Sequence, residues 1–263
     1  MTRGFVIMAT GAEEYLKCAN TLAKNIQRLM PDERVSLITD AKVKNNGLYD
    51  KIIKITNVDD SDWQLANDYL VYDASPYDET IKLESDIYLP RRIDHWWDIL
   101  ADRDLNICTT IRDRKNNITD GAYYRKTFIE SGLVNTYNAI TYFKKSPLAE
   151  RFYAIVRDIF QNWNDYVQLL KFSTEDRATT DVVYALAARI IGEEQCTMTN
   201  FTDFSMIHMK QMIANTRSMD WTDELVTEIY PDTFRVATIP QLYPVHYQVK
   251  SFAQTLDGEL DDI

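Results

Sequence analysis

Glycine, cysteine and long apolar runs are all scarce in this sequence. Only 7 of its 263 residues are glycine, and Gly11, which follows an apolar run, lacks the glycine-rich spacing of a dinucleotide site or a P-loop. The three cysteines, Cys18, Cys108 and Cys196, are scattered and odd in number. This pattern predicts reduced thiols and argues against a disulfide framework or a zinc site. No apolar run approaches the roughly 20 residues that span a bilayer, so we predict no membrane partner.

Basic residues are outnumbered by acidic ones, 29 to 40, which gives a formal net charge of −11. This balance argues against a broad basic surface for nucleic acid, because neutralisation of phosphates normally dominates that affinity. One local basic segment remains, and it consists of Arg112, Arg114, Lys115, Arg125 and Lys126. The sequence favours a solvated loop there over a groove that binds a phosphate backbone.

The chain has the length and apolar content of one large α/β domain, alone or with a small appendage. Hydrophobic residues make up 45% of its 263 residues, enough to bury a large core. We expect a single domain over residues 1–256 and an acidic, disordered tail over residues 257–263. Because residues 1–3 lead directly into a strand-like segment without a secretory signal pattern, we expect a cytoplasmic protein.

Apolar runs that predict strands alternate with segments that have the spacing of amphipathic helices. Strands are predicted at residues 5–9, 35–39, 51–55, 81–90, 106–110, 137–143 and 204–208. Helices are predicted at residues 12–29, 62–74, 93–100, 147–170 and 179–191. This order predicts an α/β fold in which helices flank a mixed, mostly parallel central sheet, followed by a mostly helical or irregular C-terminal part.

Polar residues stand at the ends of several predicted strands. Thr10 and Gly11 follow the first strand, and Asp40 follows the second. Ligands of parallel sheets usually bind beyond the carboxyl ends of the strands. We therefore expect these residues to line one crevice, together with the acidic pair described next.

Glu84 and Asp86 interrupt the otherwise apolar run at residues 81–90. Alternation along a strand places both carboxylates on one face, where two like charges repel each other unless a cation compensates them. Mg²⁺ and Mn²⁺ prefer such oxygen ligands and often bind a substrate phosphate at the same time. The pair predicts a divalent metal site, and the alternative is that both acids face solvent at a strand end.

Asp181 stands at the start of the predicted helix at residues 179–191. A carboxylate there either complements the helix dipole or is presented to an active site from the helix end. The residues alone favour the helix cap.

Taken in order, these motifs resemble those of GT-A glycosyltransferases, most closely the glycogenin and bacterial galactosyltransferase type. The motifs are Ala9-Thr10-Gly11, the strand ending in Leu37-Ile38-Thr39-Asp40, residues 75–80 leading into Lys82-Leu83-Glu84-Ser85-Asp86, the strand with Asn138 before Lys144-Lys145-Ser146, then Asp181 and His246. The resemblance extends over roughly the first 250 residues and rests on motif order.

The resemblance implies a role for each of these residues. Glu84 and Asp86 would bind a divalent metal, Mn²⁺ or Mg²⁺, with His246 as the third ligand and His208 as the alternative to it. Asn138 and Asp181 would be catalytic residues near the sugar and the acceptor. The nucleotide-sugar contacts would be Ala9, Thr10, Gly11, Asp40, Lys82 and Lys250. Two departures stand out: the first acid is Glu where the family has Asp, and the family's glycine-containing spacing after the histidine is absent.

The implied activity is metal-dependent transfer of a sugar from a nucleotide sugar, preferably a UDP-sugar. Two alternatives remain open: a non-catalytic nucleotide-sugar-binding relative, suggested by the atypical Glu84, and a nucleotidyltransferase. The missing glycine-rich, basic signature after the first strand argues against the nucleotidyltransferase.

The amino-acid sequence of residues 137–146 also resembles that of small glycosyltransferases from tailed bacteriophages. We therefore expect a hydroxymethylated pyrimidine in phage DNA as the acceptor, bound by the basic segment, and a location in the host cytoplasm if the chain is phage-encoded. A carbohydrate or surface glycan is the alternative acceptor. The sequence leaves the oligomeric state and the stereochemistry open.

Overall fold

Helices and strands alternate along the chain. The computed structural model describes residues 1–56, 67–121, 125–173, 176–210, 218, 220–230 and 233–261. The helices are α1 (Glu13–Leu29), α2 (Leu70–Ala74), α3 (Trp96–Ile99), α4 (Lys126–Ser131), α5 (Pro147–Gln161), α6 (Trp163–Tyr166), α7 (Thr180–Ile191), α8 (Glu193–Cys196) and α9 (Phe252–Asp261). The strands are β1 (Arg3–Ala9), β2 (Val35–Thr39), β3 (Lys51–Lys54), β4 (Glu79–Glu84), β5 (Ile87–Tyr88), β6 (Leu105–Cys108), β7 (Thr110–Arg112), β8 (Ile118–Thr119), β9 (Tyr137–Lys144), β10 (Ser205–His208), β11 (Thr227–Tyr230), β12 (Thr233–Val236), β13 (Ile239–Pro240) and β14 (Val245–His246).

The main sheet has six strands in the order β3-β2-β1-β4-β9-β6. Strands β1 to β4 run parallel to one another, and β9 runs antiparallel to both of its neighbours, β4 and β6. All five residues of β2 are buried, as expected for a strand covered on both faces. The predicted α/β fold with a mostly parallel central sheet is confirmed.

Helices cover both faces of this sheet because successive side chains of its strands are apolar and point to opposite faces. Phe5 of β1 packs in one core with Leu22 of α1, whereas Val6 packs in a second core with Val183 of α7. Because successive side chains of a strand point to opposite faces, neighbouring residues of β1 pack into different cores on the two sides of the sheet.

The predicted helix at residues 147–170 is interrupted. Ser146 caps α5, since its Oγ accepts a hydrogen bond of 3.3 Å from the Ala149 N–H, and α5 ends at Gln161. The Asn162 amide binds back to the Asp158 carbonyl and carboxylate at 3.1 and 2.8 Å. Such a local side-chain bond competes with helix continuation, and α6 begins at the next residue.

A second sheet of five strands, β5-β14-β10-β7-β8, adjoins the main sheet. The strand predicted at residues 106–110 is divided between the sheets, because β6 ends at Cys108 and β7 begins at Thr110. Strand β14 lies between β5 and β10, with His246 opposite Ile87 on one side and His208 on the other. Because β5 follows Asp86 directly, this pairing brings the late histidine to the early acidic pair.

The expectation of a disordered acidic tail is wrong for residues 257–261, which form the last turns of α9. Leu256 is fully buried in a core with Cys18 of α1, and Asp257 pairs with Lys24 of α1 at 2.8 Å. Asp257 and Glu259 thus lie on the outer side of an amphipathic helix. Residues 262–263 lie outside the described residues, and the assignment of residues 1–256 to one domain stays a prediction.

The helix predicted at residues 62–74 is described only in part, because residues 57–66 lie outside the described ranges. In the described part of the chain, no helix is both long and apolar enough to cross a membrane.

Candidate active site

The acidic pair lies where the main sheet passes into the second sheet. Glu84 is the last residue of β4, and Asp86 lies in the turn before β5. The side chain of Asp86 is 4% exposed and that of Glu84 is 30% exposed. The alternative that both acids face solvent is therefore excluded, because Asp86 is buried and its charge needs compensation.

His246 completes a group with the two acids. Its Nε2 lies 3.2 Å from Glu84 Oε2 and 3.1 Å from Asp86 Oδ2, and the three ligand atoms lie within 4.8 Å of one another. Adjacent ligands of an octahedral ion bound at about 2.1 Å are separated by about 3 Å, so the spacing suits Mg²⁺ or Mn²⁺. Two hard carboxylates and one imidazole fit such an ion in their chemistry as well.

Burial and the neighbouring charges act in opposite directions on the pKa values of these three side chains. Burial alone would raise the pKa of Asp86, but the His246 imidazole and the Lys250 ammonium hold it well below its usual range. Burial raises the pKa of Glu84, with a further rise from Asp86, against the opposing effect of Lys82 and His246. Burial lowers the pKa of His246, but the two carboxylates outweigh it and raise that pKa. A bound divalent cation would favour both carboxylates.

Lys82 supplies a buried cation beside the acidic pair. Its side chain is 1% exposed, and its Nζ lies 3.2 Å from Asp68 Oδ1 and 4.0 Å from Glu84 Oε1. The same ammonium donates to the Asn138 carbonyl at 3.0 Å. The Tyr184 hydroxyl donates to the other Asp68 oxygen at 2.6 Å, so the Lys82 head group is fixed from several sides.

Two cavities meet at this group. The first cavity, of about 370 Å³, is lined by Met8, Thr10, Tyr15, Asp68, Lys82, Glu84, Ser85, Asp86, His246, Gln248 and Lys250. The second cavity, of about 260 Å³, is lined by Glu84, Arg125, Thr127, Phe128, Tyr137, Ala139, Thr179, Thr180, Asp181, Met206, His208, Lys210, His246 and Gln248. Glu84, His246 and Gln248 line both cavities and therefore mark their junction.

Asp181 lines the second cavity from the first turn of α7. Its carboxylate accepts a hydrogen bond of 2.8 Å from the Asn138 N–H and pairs with Arg125 Nη1 at 3.0 Å. The N-cap residue is Thr179, whose side chain makes no cap bond. Asp181 is thus oriented by β9 and Arg125, and the helix-cap interpretation does not account for its contacts.

Asn138 is fully buried, yet both polar atoms of its amide lack a hydrogen-bond partner among the described residues. Its position coincides with a register irregularity between β9 and β6, next to Ile107 and Cys108. Irregular strand pairing of this kind is enriched near active sites. The amide does not line either cavity in this arrangement.

The predicted site residues lie around the first cavity, around the second cavity, which includes Asp181 and His208, or outside both. The structure places Thr10, Lys82, Glu84, Asp86, His246 and Lys250 around the first cavity. Ala9, Gly11 and Asp40 line neither cavity. The Gly11 N–H donates to both Asp40 carboxylate oxygens at 3.1 Å, which holds the turn after β1 at a Gly11 φ of +83°. His208 lies behind His246, with their Nδ1 atoms 3.1 Å apart.

The basic segment is not a uniformly solvated loop. Arg112 is buried, donates to Ser205 Oγ at 3.1 Å and lies 3.8 Å over the Tyr243 ring. Arg125 is buried against Asp181. The solvated-loop interpretation is therefore wrong for these two arginines, while Lys115 and Lys126 are exposed and Arg114 is half-buried.

Tyr15, Asp68 and Gln248 also line the first cavity, although the sequence patterns do not predict them there. Tyr15 has one visible signal, since it lies one turn into the helix that follows Thr10 and Gly11. Asp68 has none, because only the fold brings it to Lys82. The missing glycine after His246 pointed near Gln248, which takes the left-handed conformation that favours glycine, with a φ of +56°.

The chain has the GT-A glycosyltransferase fold. It is similar to the galactosyltransferase LgtC in complex with donor and acceptor sugar analogues, with a TM-score of 0.56 and 14% identity over 99% of this chain and 97% of LgtC. An active-site variant of LgtC gives a TM-score of 0.50 and 14% identity over 97% and 95% of the two chains. The sequence matches no protein-family profile and no curated protein.

The glycosyltransferase GlyE of Streptococcus pneumoniae TIGR4 gives a TM-score of 0.45 and 11% identity over 75% of this chain. This chain spans 46% of the length of GlyE. The predicted likeness to the bacterial galactosyltransferase type is confirmed at the level of the fold.

Proposed function

We propose that this chain is a metal-dependent glycosyltransferase that uses a nucleotide sugar, preferably a UDP-sugar. The observation that carries the proposal is the group formed by Glu84, Asp86 and His246 at the junction of two cavities. A metal site between a donor pocket and a second pocket suits transfer from a diphosphate to a hydroxyl, because the metal can stabilise the leaving group while the acceptor is held beside it.

The first cavity suits the nucleotide diphosphate. A divalent cation held by Glu84, Asp86 and His246 would neutralise the charge that develops on the diphosphate as it leaves. Lys250, whose ammonium contacts the Asp86 carboxylate, would bind a phosphate oxygen. The ring of Tyr15 lines the same cavity, with Lys250 Nζ 5.0 Å from its centroid, and offers a flat apolar face to the nucleotide base.

The transfer step moves one bond and one proton. The bond between the anomeric carbon and the diphosphate oxygen breaks, and its electron pair stays on the diphosphate. The acceptor oxygen bonds to the anomeric carbon, and the acceptor proton passes to a phosphate oxygen of the leaving group. The carboxylate of Asp181, paired with Arg125, faces the second cavity, where it would favour the positive charge that develops on the sugar.

For the acceptor, we favour a carbohydrate hydroxyl over the predicted hydroxymethylated DNA. The second cavity combines the rings of Phe128 and Tyr137 with the hydroxyls of Thr127 and Thr180, and such a mixed apolar and hydrogen-bonding lining suits a sugar. The DNA prediction relied on the basic segment, in which Arg112 and Arg125 are used for internal contacts. Labelled sugar appearing in hydroxymethylcytosine DNA, and not in glycans, would reverse this preference.

The test of the proposal is release of UDP from a panel of UDP-sugars, measured with Mn²⁺ and again with excess EDTA. We expect turnover with at least one donor, its loss in EDTA, and a reduction of at least about 100-fold in Asp86→Asn. Turnover that survives EDTA contradicts the metal role. Tight UDP-sugar binding without any hydrolysis or transfer identifies a non-catalytic relative instead.

A further inference from the structure

Gln248 lies at the junction of the two cavities. It lines both of them, a property it shares with only two other described residues, Glu84 and His246. Those two belong to the metal group, whereas Gln248 carries a neutral amide. Gln248 is therefore placed where the two parts of a donor, the diphosphate and the sugar, would meet.

The backbone of Gln248 is held in a conformation that glutamine rarely adopts. Its φ of +56° lies in the left-handed region, which glycine enters freely and other residues enter at a cost. The preceding residue is fixed on both sides, because the Tyr247 N–H donates to the Asp86 carbonyl at 3.1 Å and the Tyr247 carbonyl accepts from Trp221 Nε1 at 3.0 Å. Strained residues that the surroundings hold in place are concentrated at functional sites.

The side chain at this strained position has no structural work within the described chain. Gln248 is half-buried, and its amide makes no hydrogen bond to any described residue. Glycine would adopt this backbone conformation without strain. The backbone therefore does not explain a glutamine at this position, which points to a ligand contact by its side chain.

The chemistry of the amide points to the sugar end of the donor. The first cavity already holds Lys82 and Lys250 for an anionic diphosphate. An amide both donates and accepts hydrogen bonds, which matches a hydroxyl group better than it matches an anion that only accepts. A site that binds a particular hydroxyl rejects an analogue that lacks it.

We propose that Gln248 is a specificity-determining residue whose amide hydrogen-bonds a hydroxyl of the transferred sugar. This inference rests on the proposed function and adds to it a residue that selects the transferred sugar.

The experiment compares Gln248→Gly and Gln248→Ala with wild type. Glycine removes the amide and relieves the backbone, whereas alanine removes the amide and keeps the strain. Thr238→Gly is the matched control, because Thr238 is exposed, has a φ of +70° and lines neither cavity. The measurements are kcat/KM over a panel of UDP-sugars with Mn²⁺, UDP affinity by calorimetry, and Tm.

We expect both Gln248 variants to lose about tenfold or more in kcat/KM for the preferred donor, with less than about a twofold change in UDP affinity. The ratio of kcat/KM between sugars that differ at one hydroxyl should fall in both variants. Gln248→Gly should melt no lower than Gln248→Ala, and Thr238→Gly should keep wild-type kinetics.

Gln248→Gly with wild-type kcat/KM and wild-type donor preference overturns the inference. An equal loss of UDP affinity and of kcat/KM also overturns it, since the contact would then be to the diphosphate. Wild-type protein that shows no Mn²⁺-dependent binding of UDP overturns the proposed function, and the inference with it.

Discussion

The buried ion pair of Lys82 and Asp68 allows a quantitative test of how the first cavity is built. Lys82 Nζ lies 3.2 Å from Asp68 Oδ1, and the two side chains are 1% and 12% exposed. Asp68→Asn leaves the ammonium buried with the Asn138 carbonyl and with Glu84 Oε1 4.0 Å away. Lys82→Met removes the buried positive charge and leaves the Asp68 carboxylate, which is the more exposed partner and keeps its hydrogen bond from Tyr184.

These two variants should differ in cost. At an effective dielectric constant of about 20, charges at this separation attract each other by about 5 kcal/mol. Loss of one partner of a buried pair typically costs about 3–5 kcal/mol, much of it from the charge left behind. We expect Asp68→Asn to lose about 3 kcal/mol in free energy of unfolding and Lys82→Met to lose about 1–2 kcal/mol. The double variant should be more stable than Asp68→Asn alone, because it leaves no unpaired ammonium.

The assay is chemical denaturation of the wild type, both single variants and the double variant at pH 7. Glu13→Gln is the matched control, because it breaks the Glu13–Lys17 pair, whose side chains are 78% and 52% exposed, and should cost less than about 0.5 kcal/mol. Additive losses in the double variant, or an Asp68→Asn loss no larger than that of the control, would show that Lys82 and Asp68 are not an energetically coupled pair.

Three further predictions concern the core. Gly4→Ala should destabilise the protein by about 1–3 kcal/mol, because its Cβ would lie 2.5 Å from the Tyr77 ring; an unchanged denaturation midpoint contradicts this. No cysteine of the native protein should react with a thiol reagent at pH 8, because burial raises the pKa of all three thiols, to about 12 for Cys108 and Cys196; rapid labelling without denaturant contradicts this. Arg112→Met should lower Tm by several degrees because its hydrogen bonds to Ser205 and Asn116 are lost; an unchanged Tm contradicts this.

Sequence patterns predicted the parts of the site whose signals are local. The acidic pair stands out because Glu84 and Asp86 interrupt an apolar run, and the sheet follows from alternating strands and helices. His246 came from motif order, since 160 residues separate it from Asp86 and only the pairing of β5 with β14 joins them.

The parts that sequence could not predict depend on contacts between distant residues. Asp68 gains its role from Lys82, and Arg125 from Asp181, which no periodicity reveals. A cluster of arginines predicted a solvated surface, but a guanidinium can also be buried when fixed acceptors surround it. The acidic end of α9 was predicted to be disordered because it is rich in charged residues. The helix is stabilised by the apolar residues Phe252 and Leu256, which pack in the core ahead of that end.

The central claim is that Glu84, Asp86 and His246 bind a divalent metal that in turn holds a nucleotide diphosphate. The most direct measurement is isothermal titration of UDP into wild type and Asp86→Asn, each with and without Mn²⁺, with Glu13→Gln as the control. We expect Mn²⁺ to strengthen UDP binding by at least about tenfold in the wild type and in the control, and not in Asp86→Asn, provided that this variant melts within a few degrees of the wild type. UDP binding that is independent of Mn²⁺, or an equal Mn²⁺ effect in Asp86→Asn, would contradict it.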